Sequence, residues 1–470
     1  MLRLPDEIWC DVFSYFERTL PRRTQSWSSD VPSGEYKNLA SLCLVCRQFR
    51  RIAQAKLHCT IDLQHTETPA KSIMSLARTL LSKPLLGHHV RAFALPERVS
   101  REESRKFQDP MEFFKEALKD HDKLYRELGR FLGNRNYVLD EVFLTVILAR
   151  MPRLQLLDFT FSPSTMIVLY VLEVVILAAL SNQGLCTPME YFLDIMNRYT
   201  ALGRGMLQLR EIRIGCATEG RVINMCTLEA ILLYPKIEAL RLFGAAWARQ
   251  EDRRMRWKDH ASNLRFLQIQ DCIIDMESLE EILTRCKDLR TLYIQLSEDI
   301  NWAIDFSGFT RLLTTLGQNL KELDLDTYQF HLSDMNVSQG HLESLQAMTS
   351  LRVLKIAPLD LVDPQRPEDG ALLSAQEASQ VMDALPCSLE ELHFYPGAEA
   401  DIMGNINRSI ARGSFPELRK VAVERPPDSS TDPSALVPES SDWIIHSRAN
   451  YNSHRYVDDF GLLSIMEKRK

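Results

Sequence analysis

The sequence has no excess of positive charge. Its 63 acidic residues outnumber 56 basic ones and leave a net charge of −7 at pH 7. A nucleic-acid-binding domain normally gathers a basic patch, so no nucleic-acid partner is expected. Long apolar runs are also missing. The most apolar stretch, residues 166–180, is interrupted by Glu173 and is shorter than the roughly 20 residues of a membrane-spanning helix. It reads as a buried helix, and no membrane partner is expected. Met1-Leu2-Arg3-Leu4-Pro5-Asp6-Glu7 puts acids where a secretory leader would turn apolar, so no leader is expected. The ten cysteines follow no framework spacing, which points to reduced thiols in the cytoplasm or nucleus. In that setting Asn336-Val337-Ser338 and Asn407-Arg408-Ser409 are chance matches to the glycosylation triplet.

Motifs that carry chemistry are equally sparse. The chain has no GxxxxGK(S/T), GxGxxG, HExxH or GxSxG. Asp459-Phe460-Gly461 imitates the metal-binding tripeptide of kinases, without the glycine-rich loop, strand lysine or catalytic-loop signature that accompany it. Cys43-x-x-Cys46 with His58 and Cys59 approaches a zinc spacing. Structural zinc ligands converge from turns, whereas these two cysteines sit in an apolar helical stretch, with Cys46 on the stripe that reads as buried. No enzymatic activity, metal or cofactor is expected.

What the sequence does contain is a repeat. An apolar-x-x-apolar-x-apolar sextet recurs as Leu209-Ile212-Ile214, Ile237-Leu240-Leu242, Leu264-Leu267-Ile269, Leu289-Leu292-Ile294, Leu320-Leu323-Leu325, Leu351-Leu354-Ile356, Leu389-Leu392-Phe394 and Leu418-Val421-Val423. Leu154-Leu157-Phe159 and Val90-Phe93-Leu95 extend it upstream. The first positions from Leu209 onward step by 28, 27, 25, 31, 31, 38 and 29 residues, close to the roughly 20–29 of leucine-rich repeats. The sextet's last two apolar positions flank a polar one, which is strand periodicity, and stretches such as 276–286 and 309–316 return apolar residues every three or four positions. Asp275 and Ser307 stand where helix N-caps would. Only Cys216 and Cys272 supply the Asn or Cys that the repeat usually places after its strand. A strand–helix unit repeated in this way buries its apolar face only by stacking on its neighbours, with a parallel sheet inside and helices outside.

The first sixty residues differ. Pro5 and the acids after it suit the first turn of a helix, along which Ile8, Val12, Phe13 and Phe16 form an apolar stripe. Residues 17–37, with Pro21, Pro32, Gly34 and several serines, read as a loop. A second helix over 38–55 carries Leu39, Leu42, Val45, Cys46, Phe49 and Ile52. LPDEIWCDVFSYF, LASLCLVCRQFRRIA and the KLHCTIDL of residues 56–63 together resemble the F-box. The resemblance is closest to the F-box proteins of filamentous fungi that run on into degenerate leucine-rich repeats. That family usually joins its first helices by a short turn, and the polar insertion here departs from it. Loop closure costs grow slowly with length.

The resemblance implies an α/β chain: a small all-α F-box at 1–63 with an insertion at 17–37, then an irregular leucine-rich-repeat solenoid over 64–425. A helical insertion is expected at about 97–150, a linker at 426–442 and a tail at 443–470 folding back as a cap. It also implies a substrate adaptor. Leu4, Pro5, Ile8, Phe13, Leu42, Val45, Cys46 and Phe49 would contact a Skp-family protein, and through it a cullin–RING ubiquitin ligase. The solenoid would hold a client protein, the alternative being an interaction scaffold with no ligase role. By strand alternation, the polar positions of the sextets should line an open concave wall. The client-binding residues expected there are Arg213, Arg241, Phe266, Gln268, Tyr293, Asp324, Lys355 and His393.

Overall fold

The computed structural model describes residues 5–17, 20, 34–64, 66, 68–95, 143–144, 146–148, 150–161, 208–216, 223–224, 231–232, 234, 236–247, 261–296, 303–327, 337–362, 375–395, 401–425, 443–450 and 461–468. Leu4, the apolar stretch 166–180, the 426–442 linker and most of the 97–150 insertion lie outside the described residues. Among the described residues no helix is long and apolar enough to cross a membrane.

The chain is a mixed α/β protein with extensive, mostly parallel sheet. It divides into two compact units, Met1–Arg221 with Thr227–Arg241, and Val222–Cys226 with Leu242–Lys470. The first unit opens with the helices α1 (Asp6–Ser14), α2 (Gly34–Val45) and α3 (Arg47–Leu57). The single second helix expected over 38–55 is therefore two. The chain breaks at Cys46, whose extended backbone caps α3, and α2 starts at Gly34, inside the segment read as loop. From α3 the chain runs directly into β1 (Thr60–Asp62), then α4 (Pro69–Ser82), α5 (Pro84–Gly87), β2 (Ala92–Ala94), β3 (Leu156–Phe161) and β4 (Glu211–Cys216). Strands β1 to β4 pair in sequence order, all parallel.

After the short β5 (Ile223–Asn224) and β6 (Ala239–Phe243) come β7 (Ala245–Trp247) and β8 (Phe266–Ile274). In the second unit β8 pairs with β9 (Thr291–Leu296), β9 with β11 (Glu322–Asp326), β11 with β13 (Val353–Ile356), β13 with β14 (Glu391–Phe394) and β14 with β15 (Lys420–Arg425), all parallel. A second small pair joins β10 (Ala303–Asp305) to β12 (Val337–Gln339). The amphipathic helices between these strands are α6 (Met276–Arg285), α7 (Phe306–Leu316), α8 (Ala375–Ala384) and α9 (Asp401–Ala411). Leu279, Ile282 and Leu283 of α6 and Phe309, Leu312 and Leu313 of α7 are buried. The chain ends in an antiparallel hairpin, β16 (Trp443–Asn450) and β17 (Gly461–Lys468), with β17 antiparallel to β15.

The sextets explain this order. Every apolar position of all ten is buried. Parallel register stacks them into columns: Leu267, Leu292, Leu323, Leu354, Leu392 and Val421 are successive partners in the second unit. Ile61, Phe93, Leu157 and Ile212 do the same in the first. Each fully buried Leu or Ile contributes about 1.5–3 kcal/mol.

Two local expectations are corrected or refined. The N-cap of α6 is Asp275, which accepts from the Ser278 amide at 2.7 Å, but that of α7 is Asp305, accepting from Gly308 N at 2.9 Å. Ser307 lies within the first turn, its hydroxyl donating to the His341 carbonyl. A carboxylate two residues earlier reaches the free amides better than a hydroxyl already committed to the His341 carbonyl. At the end of β8 a bulge between Ile269 and Cys272, with Asp271 in the left-handed region at φ 47°, turns the strand. The buried Cys272 thiol then lies 3.3 Å from the Gln295 carbonyl, bridging to β9.

Leu323 is fully buried, with Leu292 and Leu354 as its strand partners. Leu323→Asp would strand a carboxylate there and is expected to cost more than about 4 kcal/mol. Loss of soluble protein or a collapse of the melting transition checks this, against a near-neutral Glu322→Ala on the opposite face of the same strand.

Candidate functional site

The three N-terminal helices close over a small core. Phe13, Leu39, Ile52 and Ala53 are buried, and Trp9, Phe16, Leu42, Cys43, Phe49 and Leu57 pack against them. Trp9 and Phe49 lie 4.5 Å apart between ring centroids, and Phe13 meets Phe49 edge-on at 5.2 Å. Outside the core, Asp6 in the first turn of α1 accepts from Gln48 Nε2 at 2.7 Å and pairs with Arg51, tying α1 to α3. Arg50 Nε donates to the Cys43 carbonyl at 3.2 Å, bracing the last turn of α2 against α3.

A second cluster sits where this bundle meets β1. Glu17 accepts from Lys56 Nζ at 2.5 Å and from the Cys59 thiol. Burial alone would raise the Glu17 carboxyl, but the Cys59 hydrogen bond and the Lys56 and Arg91 charges hold it below its ordinary range. Burial, followed by the Glu17 hydrogen bond and charge, pushes the Cys59 thiol up to about 12. Sequence reasoning assigned Glu17 to the loop and missed this cluster, because its partners lie some forty residues away in the chain.

The residues expected to meet an adaptor divide in two. Phe13 is buried in the core, and Phe49 and Leu42 are partly buried against it. Pro5, Ile8, Val45 and Cys46 are exposed. Cys46 is not on a buried stripe: it is the exposed N-cap of α3, its sulfur accepting from the Phe49 amide at 3.4 Å. Val45 and Phe49 do not share a helical face, because the break at Cys46 puts them on separate helices.

The resulting surface is strongly apolar. Trp9 and Phe13 of α1, and Phe16 just past it, turn inward, while Ile8 and Val12, one residue out of phase, are 46% and 40% exposed and Tyr15, also past the helix, 86%. At the end of α2, Leu44 and Val45 are 79% and 63% exposed. Five of the eight large apolar side chains exposed among the described residues thus fall within the first 45 positions. Val12, Tyr15 and Leu44 were not on the expected contact set. The signal for Val12 and Tyr15 was available: a helix apolar on two adjacent stripes cannot bury both in a three-helix bundle.

The polar face of the strands differs from the open wall expected. Arg213, Gln268 and Asp324 are buried, and Arg241, Phe266, Tyr293, Lys355 and His393 are partly covered. In the first unit Arg213 Nε donates to Glu211 at 2.7 Å, its Nη1 lies 3.9 Å from Asp158, its register partner, and Arg241 Nε reaches the same Glu211 oxygen at 2.9 Å. Burial raises the Glu211 carboxyl, but the two arginines outweigh it and hold it low. In the second unit Gln268 donates to Gln270, which donates to Tyr293 Oη at 2.8 Å. Lys355 meets its register partner Asp324 at 2.8 Å, Tyr395 donates to the same carboxylate, and His393 lies 3.0 Å from Glu424. Burial would lower the Lys355 ammonium, but Asp324, then Glu322 and Glu391, raise it further. The physical reason for the correction is spacing. Strands about 4.8 Å apart bring long polar side chains of matched register within hydrogen-bonding reach, so they cover one another.

Among the described residues no cluster of His, Cys, Asp or Glu is placed to hold a metal ion. An apolar groove of about 370 Å³ beside α3, lined by Leu57, His58, Ile61, Leu76, Leu80 and Leu86, carries His58, whose imidazole is lowered by burial and the charges of His89 and Lys83.

A comparison with family models matches residues 1–64 to the F-box-like family. A search of the curated proteins finds no match. The chain therefore carries an F-box-like domain, and the three-helix bundle with the start of β1 is that domain.

The split between core and surface makes a direct prediction. Phe49→Ala should lower stability by about 3 kcal/mol through loss of the aromatic stack, whereas Leu44→Ala should change it by less than about 0.5 kcal/mol. Paired thermal or urea melts of the two variants check the difference.

Proposed function

We propose that this protein is a substrate adaptor of a Skp–cullin–F-box ubiquitin ligase, its F-box-like domain docking on a Skp-family protein and its repeat region holding a client. The observation that carries this reading is the exposed apolar set Ile8, Val12, Tyr15, Leu44 and Val45. Large apolar side chains left exposed in one small domain favour a protein partner, and these residues sit in the domain that matches the F-box-like family. The chemistry of ubiquitin transfer is left to other subunits, and this chain acts in the cytoplasm or nucleus.

We read the repeat region as an irregular leucine-rich-repeat solenoid. The ten buried sextets and the sequential parallel pairing support that reading, with the C-terminal hairpin on β15 as its cap. The partly covered Phe266 and Tyr293, on adjacent strands, are the favoured client contacts, since aromatic anchors dominate binding energy. Buried Arg213, Gln268 and Asp324 act through their neighbours, by holding the face rigid.

One observation favours a second reading, an interaction scaffold with no ligase role. The F-box-like helices run straight into β1, whose Thr60–Asp62 pair with β2, as an N-terminal cap would. Capture of a purified Skp-family protein separates the two. The full chain should bind it, and Leu44→Asp with Val45→Asp should weaken that binding at least tenfold with an unchanged melting temperature. Wild-type binding by the double variant, or none by the wild type, would favour the scaffold.

A further inference from the structure

Two cysteines, Cys43 and Cys46, flank Leu44 and Val45 at the junction of α2 and α3. We propose that Cys43 and Cys46 form a dithiol–disulfide pair that a hydroperoxide closes, and that closing it disables the partner-binding face of the F-box-like domain. The second half of this inference rests on the function proposed above; the first does not.

The geometry supplies both partners. Both cysteines are reduced, Cys46 exposed and Cys43 partly buried. The two residues between them are helical and open to solvent. Two Cα atoms three residues apart across a helical turn lie about 5 Å from each other, inside the roughly 4.4–6.8 Å that a disulfide spans. The Cys46 sulfur also accepts from the Phe49 amide at 3.4 Å at the N-terminus of α3. Cys43 sits one turn back, against the core, with its thiol pushed up by burial and drawn down less strongly by Arg50. An exposed cysteine beside a neighbouring resolving cysteine is the arrangement of thiol redox sensors.

The chemistry balances with hydrogen peroxide as oxidant. The Cys46 thiolate attacks one peroxide oxygen, the O–O bond breaks, and the departing hydroxide takes a proton to become water, leaving a sulfenic acid on Cys46. The Cys43 sulfur then attacks the Cys46 sulfur. The S–S bond forms, the S–O bond breaks, and the hydroxide released takes the Cys43 proton as a second water. Two thiols lose two electrons and the peroxide gains them. Another thiol reverses the step by exchange.

The consequence follows from position. Drawing the Cys46 sulfur back toward α2 removes the cap of α3 at the turn that carries Phe49, which stacks on Trp9. Leu44 and Val45, the most exposed aliphatic residues of α2, lie inside the closed ring.

Trypsin cuts after Lys37 and Arg47, so both cysteines fall on one peptide, residues 38–47. The full chain treated with equimolar hydrogen peroxide should yield that peptide short of two hydrogens, and its affinity for a Skp-family protein should fall at least tenfold. Dithiothreitol should restore both. In Cys43→Ser the reduced protein should keep its affinity, and the peptide should gain oxygen without closing. A wild-type peptide that stays reduced or gains oxygen instead overturns the pair, as does a closed peptide with unchanged affinity. If the reduced wild type binds no Skp-family protein, the adaptor reading fails, and the peptide mass still decides whether the pair closes.

Discussion

The constraint on which the rest of the molecule depends is the in-register stacking of apolar side chains along the parallel strands. A strand of four to six residues holding two apolar positions of a sextet has little stability alone. Leu323 becomes part of a core only because Leu292 and Leu354 occupy the same level on either side. The helices between strands add their own buried stripes to the same interior, and the N-caps at Asp275 and Asp305 fix where each begins. Because a one-residue slip would turn every Leu toward the opposite face, the register that builds the core also decides what stands on the other side of the sheet.

That other side is a set of polar pairs whose membership follows from register. Asp324 and Lys355 are direct strand partners, as are Asp158 and Arg213, and Gln295 donates to its partner Asp326 at 3.2 Å. Such pairs compensate one another's desolvation, and removing one member would leave its partner charged and buried. In each unit the polar groups of the strands thus largely satisfy one another. Phe266 and Tyr293 stand out as aromatic groups only partly covered.

The F-box-like domain is organised differently. Its core is an aromatic cluster of Trp9, Phe13 and Phe49, too small to absorb every apolar side chain of three short helices. Two stripes of α1 differ by one residue, and the bundle can cover only one. The surplus at Ile8, Val12, Leu44 and Val45 stays exposed, with Leu44 and Val45 directly before the break at Cys46.

Much of this was legible in the sequence. The sextets, their spacing and the burial of every apolar position follow from local periodicity, since the alternation of a strand and the 3.6-residue turn of a helix are written in neighbouring residues. The F-box-like family was legible by resemblance, in the LPDEIWCDVFSYF and LASLCLVCRQFRRIA motifs. What the sequence left undecided depends on residues distant in the chain. No local pattern distinguishes the Trp9 stripe from the Ile8 stripe until α3 arrives to cover one of them. A cysteine is an uncommon N-cap, so one helix over 38–55 was the natural reading, and only packing against α1 shows the two. Alternation alone put Arg213, Gln268 and Asp324 in the open. Their burial was decided by tertiary structure, because it comes from side chains on strands some thirty residues away that lie only one strand spacing across.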